Sequence, residues 1–162
     1  MKKLLLILLI VVSVSSAFSQ DLTKFHIYNP DDNAEKEIAK SVKKAKAENK
    51  HVFIQIGNNA CIWCARFNDL ISNDEKIDSI IKASYIIYHM NCRNENDNAK
   101  ILAKYNCPQR FGFPFFLVLN GKGKLIHMQG SWYLQDGNKS YDRDKTISFF
   151  NAWSPAASQP KQ

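Results

Sequence analysis

The sequence predicts an α/β sandwich, with helices flanking a mixed central sheet, and three patterns carry that expectation. Short runs rich in β-branched and aromatic residues, at 51–56, 85–91 and 115–119, alternate with stretches of helical periodicity. Strands separated by helices imply parallel pairing through crossovers. The third pattern, Asn120-Gly121 between the last run and the alternating segment 124–129, is a hairpin signal and adds an antiparallel edge.

The first twenty residues stand apart from this pattern. Lys2 and Lys3 precede an apolar run, 4–12, and the small residues Ser15-Ser16-Ala17, the layout of a secretory signal peptide. The apolar run is too short for a spanning helix with flanks. Cleavage between Ala17 and Gln20 is expected, and no cysteine stands in the segment to be lipidated. The expected product is therefore a soluble exported protein, periplasmic or secreted. Loss of the two lysines lowers the net charge from +7 to +5, with 20 basic against 15 acidic residues. The remaining 142 or so residues suit one domain, 21–153, with SPAASQPKQ at 154–162 expected as a disordered tail.

Along the domain, Ala34, Ile38, Val42 and Ala45 form the apolar stripe of a helix over 34–48, with Asp32 and Glu35 as a capping-box-like start after Pro30. Lys40, Lys43, Lys44, Lys46 and Lys50 then read as its solvated face rather than as a site for an acidic partner. The run 51–56 reads as a buried strand that ends at Gly57-Asn58-Asn59. A helix opened by Cys61 and Cys64 follows, broken at Ser72-Asn73-Asp74, and a second helix runs to about residue 82. After the strand 85–91 come a polar loop, 93–98, and a helix over 98–105. Beyond the hairpin, 133–142 reads as an exposed insertion. Asp144 is placed to cap a last helix that turns Ile147, Phe150 and Trp153 inward and stops at Ser154-Pro155. No internal repeat and no nucleotide-binding glycine pattern occurs in the sequence, so neither a cofactor nor nucleic acid is expected.

The cysteines carry the chemistry. Cys61 stands where a helix begins, and unpaired N–H groups and the positive end of the macrodipole stabilise a thiolate there. A free thiol titrates near 8.5, and this setting in Cys-x-x-Cys motifs lowers it to roughly 3.5–7.5. Cys61 is therefore the expected nucleophile, and Cys64, one turn deeper, the resolving thiol. A zinc site is the competing reading of such a pair, but Cys92 and Cys107 lack a second close spacing, so no metal is expected. In an oxidising compartment Cys92, at the end of its strand, and Cys107, after the next helix, are expected to bond to each other. Closing that loop of about 15 residues is worth roughly 3 kcal/mol on the chain-entropy model. The alternative is two buried free thiols.

Strand, turn, CIWC and helix are followed about fifty residues later by Phe111-Gly112-Phe113-Pro114-Phe115-Phe116-Leu117-Val118-Leu119-Asn120-Gly121-Lys122-Gly123, and with both parts the chain resembles the thioredoxin superfamily over roughly 33–153. The likeness is to secreted bacterial thioredoxin-like proteins. It implies a three-layer sandwich around a mixed β-sheet and a cis bond before Pro114, facing the CIWC turn. It also implies a Phe113 backbone free to pair with an extended client strand.

The chain departs from that pattern in two places. Ala60 stands where the family has tryptophan, so Trp63 either restores an aromatic client surface or packs against a neighbouring loop. Gln55 stands where the family has a buried aspartate, six positions before the first cysteine. His89 falls where many members of the superfamily place a lysine that borders the same cavity, and the resemblance makes it a candidate general base, or else a histidine with a purely structural role. The expected function is thiol-disulfide exchange, as reductase or isomerase, on the thiols and disulfides of exported clients. The implied protein is a monomer reset by a membrane or periplasmic redox partner. The alternative is a redox-silent peptide-binding or chaperone-like module.

Overall fold

The computed structural model describes residues 24–93, 98–106 and 108–157. Residues 1–20, Cys107 and the last five residues lie outside them, and with them the expected signal peptide and the expected Cys92–Cys107 bond. At the centre, β1 (His51–Gly57) pairs in parallel with β2 (Tyr85–Asn91), His51 against Tyr85. On its other side it pairs antiparallel with β3 (Phe115–Leu119), and β4 (Leu125–Gly130) pairs antiparallel with β3. The order is β2-β1-β3-β4, the mixed sheet expected from the alternation of elements. All seven residues of β1 are buried, as a strand covered on both faces must be.

Because side chains alternate along a strand, the sheet divides the interior in two. Val52, Ile54 and Ile56 of β1 face a core shared with α1 (Ala34–Ala47) and α4 (Ala99–Ala103). Phe53 points to the opposite layer and meets Phe67 of α2 (Ile62–Asn73), Ile77 and Ile81 of α3 (Glu75–Ser84), and Phe149 and Phe150 of α5 (Arg143–Ala152). Phe67 lies 4.5 Å from Phe116 between ring centroids, and both are fully buried. Each such side chain contributes about 1.5–3 kcal/mol by leaving water, and together these rings fix α2 on the sheet.

Helix boundaries follow local signals, with two corrections. Asn33 caps α1 by accepting from Lys36 N at 3.0 Å, in place of the expected Asp32, whose carboxylate is taken by Asn29 Nδ2. Asp142, two residues before the expected Asp144, caps α5 by accepting from Lys145 N at 2.9 Å. The break at Asp74 is real: its backbone N–H donates to Leu70 O and ends α2, while its carboxylate caps α3 through Ile77 N and holds the Arg143 guanidinium, so one residue serves three elements. That pairing keeps its carboxyl below the usual carboxylate range.

The segment 133–142, expected to be exposed, is only partly so. Tyr133 is exposed, but Leu134 and Tyr141 are buried against the α2 and α5 layer, because a bridge between Gln135 and Tyr141 folds the segment back. After α5, Ser154 to Ala157 form a hydrogen-bonded turn at the start of the expected tail. Among the described residues no helix is long and apolar enough to cross a membrane.

Candidate active site

β1 delivers the chain to the site through the Gly57-Asn58-Asn59-Ala60 turn. The two asparagines organise it by satisfying backbone groups that the turn leaves open. Asn58 accepts from Ala60 N at 3.0 Å and donates to Cys92 O at 3.2 Å, tying the turn to the end of β2. Asn59 donates to Tyr28 O at 2.8 Å and accepts from Tyr28 N at 3.0 Å. Its amide thus pairs with the N-terminal segment as a strand partner would.

Cys61 is the N-cap of α2, in extended conformation, and its sulfur accepts the Cys64 N–H at 3.1 Å. Cys61 and Cys64 form a disulfide with their Cα atoms 5.2 Å apart. The two sulfurs differ in setting: Cys61 is partly exposed, whereas Cys64 is fully buried. An N-cap position places Cys61 among the unpaired amides and the positive dipole end, as the sequence predicts.

The Phe113–Pro114 peptide bond is cis, as the resemblance implied. Pro114 is buried, and partly buried Phe113 packs with Cys61, Cys64, Ala65, Phe25 and Tyr28 in one cluster. Trp63 turns away from that cluster. It is partly buried, edge-on to Tyr141 at 5.7 Å, with the Arg66 guanidinium over its ring at 4.8 Å. The contact with Tyr141 packs Trp63 on the segment that follows β4.

Gln55 and His89 are register partners across the parallel β1/β2 pair and lie on the α2 face of the sheet. Gln55 is fully buried; its Nε2 donates to the Tyr28 hydroxyl at 2.7 Å and reaches Cys64 O at 3.5 Å, while its Oε1 has no hydrogen-bond partner. His89 is largely buried, packs edge-on against the Tyr28 ring at 5.6 Å, and its Nε2 has no partner. Desolvation lowers it from 6.5 to about 4, so it is neutral and a weak proton acceptor at pH 7. Cys92 is buried at the end of β2. Among the described residues no cluster of His, Cys, Asp or Glu is placed to hold a metal ion.

Sequence reasoning missed Phe25, Tyr28 and Asn59. Tyr28 and Asn59 are 31 residues apart, and the segment 24–29 carries no periodicity to announce its place. The signal available was an aromatic pair, Phe25 and Tyr28, in a polar stretch, together with a second asparagine in the turn before CIWC.

The thioredoxin-like domain family model matches residues 38–136. A search of curated protein sequences finds no match. Among solved structures, the chain is similar to a disulphide isomerase from Xylella fastidiosa Temecula1, at 18% identity and a TM-score of 0.67, over 78% of this chain and 95% of that one. It is also similar to a thioredoxin from Thermus thermophilus (14% identity, TM-score 0.52, 78% and 85% covered). The oxidised DsbD C-terminal domain of Neisseria meningitidis matches at 16% identity and TM-score 0.52, with 75% and 96% covered. At these identities the likeness shows a shared fold.

Proposed function

The chain belongs to the thioredoxin-like domain family and holds a Cys-x-x-Cys disulfide at the head of α2, the constellation of a thiol-disulfide oxidoreductase, and we propose that it works as a reductase or isomerase on exported proteins. The observation that carries this reading is the asymmetry of the pair: Cys61 Sγ sits at the helix N-terminus and accepts an amide, and Cys64 is sealed beneath it. In the reduced protein the Cys61 thiolate attacks a client disulfide, forms a mixed disulfide and releases one client thiolate. The Cys64 thiolate then attacks Cys61 Sγ, closes the Cys61–Cys64 bond and releases the second client thiolate. Two electrons pass to the client.

Proton removal from Cys64 falls to solvent rather than to His89, whose lowered pKa makes it a poor base at neutral pH. Phe113, beside both cysteines and before the cis bond, offers backbone to an extended client strand. The leader 1–20 supports export, and protein thiols with a membrane or periplasmic reset partner follow from that setting.

Insulin reduction in dithiothreitol by residues 21–162 tests the activity. Turnover that disappears in Cys61→Ser is expected, and wild-type turnover no faster than dithiothreitol alone refutes it. A second reading, a peptide-binding module, is favoured by an apolar groove of about 210 Å³ beside the Phe113–Pro114 loop, lined by Phe111, Phe115, Met128, Trp132 and Tyr133. Client-peptide binding retained in Cys61→Ser/Cys64→Ser, with no turnover in the wild type, would select it.

A further inference from the structure

Gly57 marks a point where two side chains converge. A Cβ at this position would stand 2.5 Å from Cys64 Sγ and 2.6 Å from the Tyr28 hydroxyl oxygen, so the absence of a side chain lets sulfur and phenol share one small space above the end of β1. Tyr28 is held there from both ends. Asn59 takes its backbone N–H and carbonyl, and Gln55 Nε2 donates to its hydroxyl oxygen at 2.7 Å. With that oxygen engaged as acceptor, the phenol has one O–H left to give.

We propose that Tyr28 is the positioning residue of the resolving thiol: once the disulfide opens, its hydroxyl, oriented by Gln55, donates to the Cys64 sulfur and sets how readily Cys64 ionises. The inference rests on the exchange reading above and adds to it the group that governs its second step. Burial holds the Tyr28 phenol far above its ordinary range, so it keeps its own proton throughout and acts on the sulfur only as a donor. The proton lost by Cys64 passes to solvent, and the electron pair left on sulfur forms the new bond to Cys61. The other titratable groups facing this space are His89 from β2, which packs on the Tyr28 ring and is neutral at pH 7, and Cys61 from the head of α2. Gln55 cannot titrate, so the tuning available to the buried sulfur is hydrogen bonding.

Tyr28→Phe removes one oxygen and keeps the ring in its packing. In Cys61→Ser, where Cys64 alone of the pair titrates, the ultraviolet thiolate signal referenced to Cys61→Ser/Cys64→Ser reports its midpoint. Adding Tyr28→Phe is expected to raise that midpoint by about one pH unit, a tenfold change corresponding to one hydrogen bond to a charged acceptor. In the otherwise wild-type chain, resolution of a mixed disulfide near neutral pH slows about threefold, because the smaller thiolate fraction is partly offset by higher nucleophilicity. The first attack by Cys61 keeps its rate. An unmoved midpoint in folded Tyr28→Phe overturns the proposal. If that variant does not fold, Gln55→Leu decides the matter: it loosens the hydroxyl while leaving it in place, so a rise in the midpoint supports the proposal and no change overturns it. A chain that fails to reduce insulin refutes the enzymatic reading and leaves the titration to decide on Tyr28; insulin turnover with an unmoved midpoint refutes Tyr28 alone.

Discussion

Substituting Gly57 by alanine tests how closely the site is packed. The added methyl group would lie 2.5 Å from Cys64 Sγ, 2.6 Å from the Tyr28 hydroxyl and 3.0 Å from Tyr28 Cζ. Neither neighbour is a free end, because the sulfur is bonded to Cys61, the Tyr28 hydroxyl is held by Gln55 and the Tyr28 backbone is clamped by Asn59. Overpacking of a filled interior costs about 1–3 kcal/mol. Gly57 does not use the left-handed region, so alanine brings no backbone strain and recovers roughly 0.4–1 kcal/mol from a less flexible unfolded chain. The net expectation is a loss of about 1–2 kcal/mol in the oxidised protein, or roughly 2–8 °C in Tm for a domain of this size. In the reduced protein the Cys64 thiol is free to rotate away, so the loss shrinks. A difference of about 1 kcal/mol between the two forms makes the pair more oxidising by roughly 20 mV. Thermal melts of both forms and a glutathione titration measure these quantities. A variant as stable as wild type when oxidised, or one that loses equally in both forms, would refute the argument that Cys64 and Tyr28 require glycine at this position.

His89 gives a pH-dependent expectation. The folded protein resists protonating it until about pH 4, whereas the unfolded chain takes up that proton near 6.5. Its contribution is therefore complete above pH 6.5 and lost as the pH falls toward 4, on the order of 3 kcal/mol in all. Urea unfolding between pH 4 and 7 should show a shallower acid limb in His89→Gln, and identical slopes would count against the burial argument. The same variant should leave mixed-disulfide resolution unchanged between pH 6 and 8, and a clear slowing would restore His89 as the base. Tyr85→Phe removes the hydroxyl that donates to Phe150 O at 2.6 Å and leaves a buried carbonyl at the end of α5, so the urea midpoint should fall by the equivalent of about 1–2 kcal/mol with unchanged slope. Alkylation of the reduced protein at mildly acidic pH should label Cys61 before Cys64, and Cys64→Ser should accumulate mixed disulfides with clients; equal labelling would contradict the assignment of nucleophile and resolver.

The order and kind of nearly every element are legible along the chain because their causes are local. Strands 85–91 and 115–119, read from their β-branched and aromatic runs, end where the sheet ends them, and the head of α2 follows from a turn running into Cys61. The break at Asp74 shows in a short polar stretch, and the same aspartate caps the helix that follows. The resemblance carried by CIWC and Phe-Gly-Phe-Pro implied the cis bond, which no local pattern shows. Cap choice between near-equivalent side chains was settled by the fold: Asp32 and Asp144 are as good N-caps by type as Asn33 and Asp142, and the difference lies in which residue stands, with extended backbone, immediately before the first helical residue. Leu134 and Tyr141 are buried because a bridge and the aromatic surface of α2 draw a polar-looking segment inward. The surroundings of Cys64 belong wholly to the tertiary structure. Tyr28, the β1 pair Gln55 and Gly57, and His89 of β2 lie on three separate segments, and only a parallel β1/β2 register, a glycine with no side chain and an asparagine clamp bring them around one sulfur. Local periodicity decides which face of an element is apolar, but a contact across 31 or more residues depends on how the layers close, and that closure is decided by packing summed over the whole core.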